Sequence, residues 1–192
     1  PAYFAEGKLQ AFKELIDTHG VVETTSEERY EWLEPWIQWV TARTGLTFPE
    51  HGVFHLGDIV RTDVEQIWEK LARKGFRVGA ISPMNARCSR KDVAFFVPDP
   101  WTQTDVVASP SLQRLYRAVC DIVNQNATGE FSAGSVLALL EALVRHSRPS
   151  TWSEYFRLLT GGISRPWRRA MLLDQLLSDV FIGEVRQSGA NF

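Results

Sequence analysis

Two short, nearly unbroken apolar runs constrain the fold of this 192-residue chain more than any other feature: Phe76–Ser82 (FRVGAIS) and Val93–Val97 (VAFFV). Each is shorter than an ordinary helix and is rich in β-branched or aromatic side chains. Continuous apolar runs suit strands covered on both faces, as in parallel sheets. Turn-forming residues stop both runs, Pro83-Met84-Asn85-Ala86 after the first and Pro98-Asp99-Pro100-Trp101 after the second.

Helical patterns surround these runs. Residues 4–19 place Phe4, Leu9, Phe12, Leu15 and Ile16 on one stripe, with His19 in the last turn and Gly20 as the stop. Val21–Thr25 is β-branched and predicts a short strand. Pro35 suits a first helical position and Gly45 the left-handed residue past an end, so Pro35–Thr44 predicts a helix. Leu46–Gly57 reads as loop. Asp63–Lys74 predicts a further amphipathic helix, capped by Thr62 with Glu65 as capping-box partner and ended by Gly75. Alternating helix and strand over the first hundred residues implies an α/β fold, a mostly parallel sheet flanked by helices. Ligands in such sheets bind beyond the carboxyl ends of the strands, here Ser82–Asn85 and Pro98–Trp101.

The second half changes character. Pro110–Asn124, Ser132–His146, Ser150–Thr160 and Pro166–Val185 are successive helix patterns, separated by Asn126–Gly129, Arg148-Pro149 and Gly161–Arg165. The expected organisation is an α/β part over residues 1–108 and a helical subdomain or insertion over residues 109–192.

Composition excludes several classes. A net charge of −2 leaves no electrostatic footprint for nucleic acid or an anionic membrane. No run reaches the roughly 18 apolar residues of a membrane span. Cys88 and Cys120 are isolated, with neither a zinc pattern nor a disulfide framework, so reduced structural thiols in a cytoplasmic protein are expected. The seven tryptophans are expected mostly in the core or at a buried seam. The chain opens at Pro1, directly before a helix pattern, and closes just past another, which reads as a processed or excised piece.

Polar groups with plausible chemistry concentrate in Glu34–Asp58. Glu34, Gln38, Thr41 and Thr44 fall at helical spacings, with Glu34 at the entrance and Gln38 and Thr41 on one face. A helix amino end facing a pocket favours an anion, which Glu34 would oppose unless a metal intervened. The plainer reading is an acid at the helix entrance and a polar face. His51, His55 and Asp58 have metal-like spacing, but Gly52 and Gly57 argue against the helix that would align the histidines. The commoner arrangement is loop histidines satisfied by backbone bonds. Arg165, Arg168 and Arg169 beside Trp167 form a basic-aromatic cluster that a solvated helix start explains. There is no glycine-rich phosphate loop and no Gly-x-Ser-x-Gly elbow.

The order Pro35-Trp36-Ile37-Gln38-Trp39-Val40-Thr41-Ala42-Arg43-Thr44-Gly45, then Pro49-Glu50-His51-Gly52-Val53, resembles the alkaline-phosphatase superfamily. It is most similar to the nucleotide pyrophosphatase/phosphodiesterase and sulfatase branches. There a catalytic residue opens a helix ending in Thr-Gly, and Pro and His-Gly-(Ile/Val) follow soon after. The helix Val64–Leu71, Gly75 and the strand Val78–Ile81 continue the resemblance, which covers roughly residues 1–100 in organisation.

The resemblance implies hydrolysis of a phosphate or sulfate ester with two divalent metal ions, such as zinc. It places the family's nucleophile at Pro35, or at Glu34 with a one-residue slip, and neither supplies a hydroxyl or thiol. Gln38 falls where the phosphodiesterase branch has an oxyanion-holding Asn. Glu34 and Gln38 are therefore the candidate catalytic residues. The metal ligands would come from strands flanking this chain, and the implied His51 is structural. The implied partners are a small phospho- or sulfo-ester and the missing flanking segments of the same fold. The alternative is a non-catalytic module that presents its helical second half to a protein partner.

Overall fold

The computed structural model describes residues 2–25, 27–124, 132–165 and 167–192. The two apolar runs pair in parallel. Gly79–Ile81 (β1) lies against Phe95–Val97 (β2), with Gly79 opposite Phe95 and Ile81 opposite Val97. Strand β2 is buried at all three positions, and its side chains go to two different cores. Phe96 joins a cluster with Trp68, Val78, Ala86, Cys88 and Val93, and its ring lies 5.4 Å from Trp68. Val97 joins the helical core, and the Phe95 ring meets Phe181 edge-on at 6.1 Å. Cover on both faces is the physical reason for the unbroken apolar run.

Helices Pro35–Thr44 (α3), Phe48–His51 (α4) and Ile67–Arg73 (α5) precede β1. Gly45 ends α3 at φ 73°, as its sequence predicts. Val40, Val53 and Ile59 are fully buried in a small core between α3 and the following loops. Helices Pro110–Asn124 (α6), Ala133–His146 (α7), Trp152–Ser164 (α8) and Trp167–Ser188 (α9) follow β2. Leu112, Leu115 and Val119 of α6 pack with Ala142, Tyr155, Leu176 and Val180 against β2. After α9 the chain returns to β1, where the Gly79 N–H donates to the Phe192 carbonyl at 2.8 Å.

Residues Pro1–Leu33 form a unit distinct from Glu34–Phe192. Within it the helical stripe divides into Ala2–Ala5 (α1) and Gln10–His19 (α2), not one helix over residues 4–19. Gly7 at φ 71° and Leu9 at φ 57° break the turn between them. Helix α2 buries none of its residues, although Leu9, Phe12, Leu15 and Ile16 form its predicted stripe.

Several other expectations are corrected. Val21–Thr25 is exposed coil, because no neighbouring strand receives its backbone groups among the described residues. Among the described residues the sheet is small, two strands paired in parallel, and the fold is mixed α/β with 59% helix. The loop over residues 46–57 contains α4, where Thr47 and Glu50 form a capping box. The next helix begins at Ile67, not Asp63. Gln66 and Glu69 provide its reciprocal cap, and Thr62 instead ends the short 3-10 turn Asp58–Arg61. Among the described residues Trp68 is the buried tryptophan, whereas Trp101, Trp152 and Trp167 are more than half exposed. Indole is large enough that one edge commonly stays wet.

Candidate functional site

Asn85 and Asp99 organise the carboxyl ends of the two strands. Asn85 follows β1 in the left-handed region at φ 48°, which asparagine tolerates better than most residues. Its side chain is completely buried and fully used. Oδ1 accepts the Gly57 N–H at 2.8 Å, while Nδ2 donates to the carbonyls of Trp36 at 3.0 Å and His55 at 3.3 Å. Asp99 follows β2 and is also completely buried. Its Oδ2 accepts the Asn85 N–H, and its Oδ1 accepts the N–H groups of Trp101 and Thr102, each at 2.9 Å.

These bonds bring four chain segments together. The first turn of α3, the 55–57 loop and the two turns after β1 and β2 meet on Asn85 and Asp99. Arg43 reinforces the junction from the last turn of α3. Its guanidinium donates to the Met84 carbonyl and lies 5.5 Å over the Trp68 ring. Burial lowers the Arg43 pKa, and the Asp99 charge partly opposes that shift.

The predicted catalytic residues lie at the start of the same helix. Glu34 directly precedes α3, is exposed, and makes no side-chain cap bond. Gln38, one turn inside, is half-buried, and its backbone N–H donates to the Glu34 carbonyl at 3.1 Å. Thr41 turns toward α4, where its Oγ1 lies 3.1 Å from His51 Nε2. Trp36 Nε1 in the first turn is a buried donor with no acceptor among the described residues.

His51 is buried and bonded on both ring nitrogens. Its Nδ1 accepts the Val53 N–H at 3.0 Å, so in the neutral ring Nε2 carries the proton and donates to Thr41. The imidazole is buried and packs edge-on against Phe48. Asp58 accepts the His55 N–H at 3.0 Å and donates its own N–H to the His55 carbonyl, forming a tight turn. Among the described residues no group of three or more His, Cys, Asp or Glu could hold a metal ion. A two-metal centre therefore does not fit the donors within them. No helix of the described residues is long and apolar enough to cross a membrane.

The sequence predicts α3 within its observed bounds, but it marks Asn85 and Asp99 only as members of the turns that stop the two apolar runs. The available signal was position, since each lies in the turn that follows an apolar strand. No protein-family model, curated protein or solved structure matches this chain.

Proposed function

We propose that this chain forms part of a hydrolase of phosphate or sulfate esters built on an alkaline-phosphatase-like fold. The observation that carries the reading is the bond from Asn85 Nδ2 to the Trp36 carbonyl, 3.0 Å long. It ties the first turn of α3, where the resemblance puts the reacting group, to the turn beyond β1. Ligands gather at that end of parallel strands. On this reading Gln38 donates a hydrogen bond to the ester oxygen as negative charge develops there. Glu34 supplies an exposed carboxylate for acid–base work at the helix entrance. The resemblance would take the ligands of the two divalent ions from strands flanking this chain, and the ions would supply Lewis-acid charge at the ester.

The test is turnover by the intact protein supplied with zinc, magnesium or manganese. The substrates are p-nitrophenyl phosphate, bis(p-nitrophenyl) phosphate and p-nitrophenyl sulfate. Metal-dependent turnover is expected, and Gln38→Ala should lower kcat about a hundredfold, the scale of one lost oxyanion donor. No turnover on any of the three would refute the reading.

A second reading rests on the helical half. Leu137, Leu140 and Val144 of α7 and Trp152, Phe156 and Leu159 of α8 recur at helical spacing and are each more than half exposed. Arginines outnumber acids over residues 132–171, with Arg145, Arg148, Arg157, Arg165, Arg168 and Arg169 against Glu141 and Glu154. Exposed apolar helix surface in an arginine-rich segment would complement a partner protein presenting an acidic amphipathic helix. Such a complex, of fixed stoichiometry, should be lost in Phe156→Ser and retained in Gln38→Ala.

A further inference from the structure

An open cleft of about 700 Å³ lies beyond the carboxyl ends of β1 and β2. Arg87 and Cys88 come from the loop after β1, Gln103 and Thr104 from the loop after β2, and Tyr116, Cys120 and Asn124 from α6. It takes no part in the reaction assigned to Glu34 and Gln38.

Arg87 is a poorly satisfied cation in the loop after β1. Several other guanidiniums have carboxylate partners: Arg148 bonds Asp179, Arg114 bonds Glu141, Arg157 bonds Glu154, and Arg90 bonds Asp92. Arg87 has none among the described residues. One of its terminal nitrogens reaches the Val64 carbonyl at 3.5 Å, the limit of a hydrogen bond, and its Nε is buried without an acceptor. A guanidinium offers five donors in a planar fork that matches a carboxylate or phosphoryl group.

The rest of the wall suits the same ligand. Gln103, Thr104 and Asn124 add neutral side chains that donate hydrogen bonds, while Val60 and Pro100 add apolar surface. The cleft's carboxylate, Asp105, is paired with Lys91 at 2.5 Å, which offsets its repulsion of an anion. Burial holds the Cys88 thiol protonated, so it adds no negative charge.

The geometry points to a binding site for a small organic anion, with its carboxylate or phosphoryl group on Arg87 and its body against Val60 and Pro100. This inference is independent of the hydrolase reading, and its test reads binding rather than turnover. Phenyl phosphate, inorganic phosphate and benzoate are titrated calorimetrically into the full chain. Alkylation of Cys120 by N-ethylmaleimide is followed in parallel as a reporter inside the cleft.

At least one phosphoryl or carboxylate probe is expected to bind and to slow alkylation. Binding by the phosphates alone assigns a phosphoryl ligand, and binding by benzoate alone assigns a carboxylate. Arg87→Gln should weaken binding about tenfold or more, and Arg87→Lys less, as expected when a charged fork is lost or replaced by a point charge. If Arg87→Gln fails to fold, the double variant Gln103→Ala/Thr104→Ala should still weaken binding several-fold, the scale of lost neutral hydrogen bonds. Unchanged binding in the folded variants overturns the site, as does no binding by any probe. Loss of binding in Gln38→Ala would place the anion at the α3 turn instead and equally overturn it.

Discussion

The buried carboxylate of Asp99 accepts the backbone N–H of Asn85 across 2.9 Å, joining the turns that follow the two parallel strands. Neither residue is accessible to solvent. The contact fixes a left-handed residue after β1 by means of an acid after β2. It also sets where the amide of Asn85 can reach, and hence where α3 begins relative to the strands.

Asp99→Asn should be strongly destabilising. Asp99 accepts three backbone N–H groups through its two oxygens, and an amide retains only one oxygen. At least one buried donor would then face an NH2 group, at a cost of roughly 3 kcal/mol. Urea denaturation should show a lower midpoint with the same slope. A midpoint shift close to zero would mean that the carboxylate is not holding the turn.

Gly79→Ala should destabilise the strand pair. A Cβ on Gly79 would sit 2.3 Å from the Phe95 ring, so the ring or the strand must shift. Overpacking of this kind costs about 1–3 kcal/mol. Gly79→Ala combined with Phe95→Leu should recover part of the loss if the clash is its cause. Thermal unfolding of the single and double variants distinguishes that from a general intolerance of substitution.

The helical half should lose stability in acid through Asp179. Its side chain is fully buried and accepts bonds from Arg148, Thr151, Tyr155 and Gln175. Burial alone would raise its pKa, but the bonds from Thr151 and Arg148 outweigh that and hold it below the usual carboxylate range. A depressed folded-state pKa adds stability that is fully present above the unfolded value of about 3.9. That stability is lost as pH falls through the folded value. Asp179→Asn should lower stability at neutral pH and flatten its fall in acid. Denaturation midpoints for both proteins from neutral pH downward provide the check.

Cys88 should be a slow thiol. Burial is the main cause that pushes its pKa up to about 11. At neutral pH the thiolate fraction is then roughly a hundredfold below that of an ordinary cysteine, before accessibility is counted. Iodoacetamide should label Cys88 quickly only in the unfolded protein. Rapid labelling under native conditions would contradict both its burial and its protonation.

The amino-acid sequence alone determined the local devices. The strands β1 and β2, the bounds of α3 and the helices α6 to α9 follow from apolar runs, Pro35, Gly45 and helical periodicity. These signals act over a few residues, so they can be read without knowing what lies across the core. Local rules failed where two choices were similar, as at Thr62 and Gln66, both of which have a Glu three positions on. Tertiary structure decided between them, because α5 begins where Gln66 is completely buried. It also decided the strand count, since Val21–Thr25 can form a strand only with a neighbour to bond. Above all it decided the junction at the strand ends. Asn85 reaches Gly57 over 28 positions and Trp36 over 49, and no periodicity along the chain encodes a meeting at such separations. A polar side chain in a turn has many possible partners in an unfolded chain, and only packing removes water and leaves it these few.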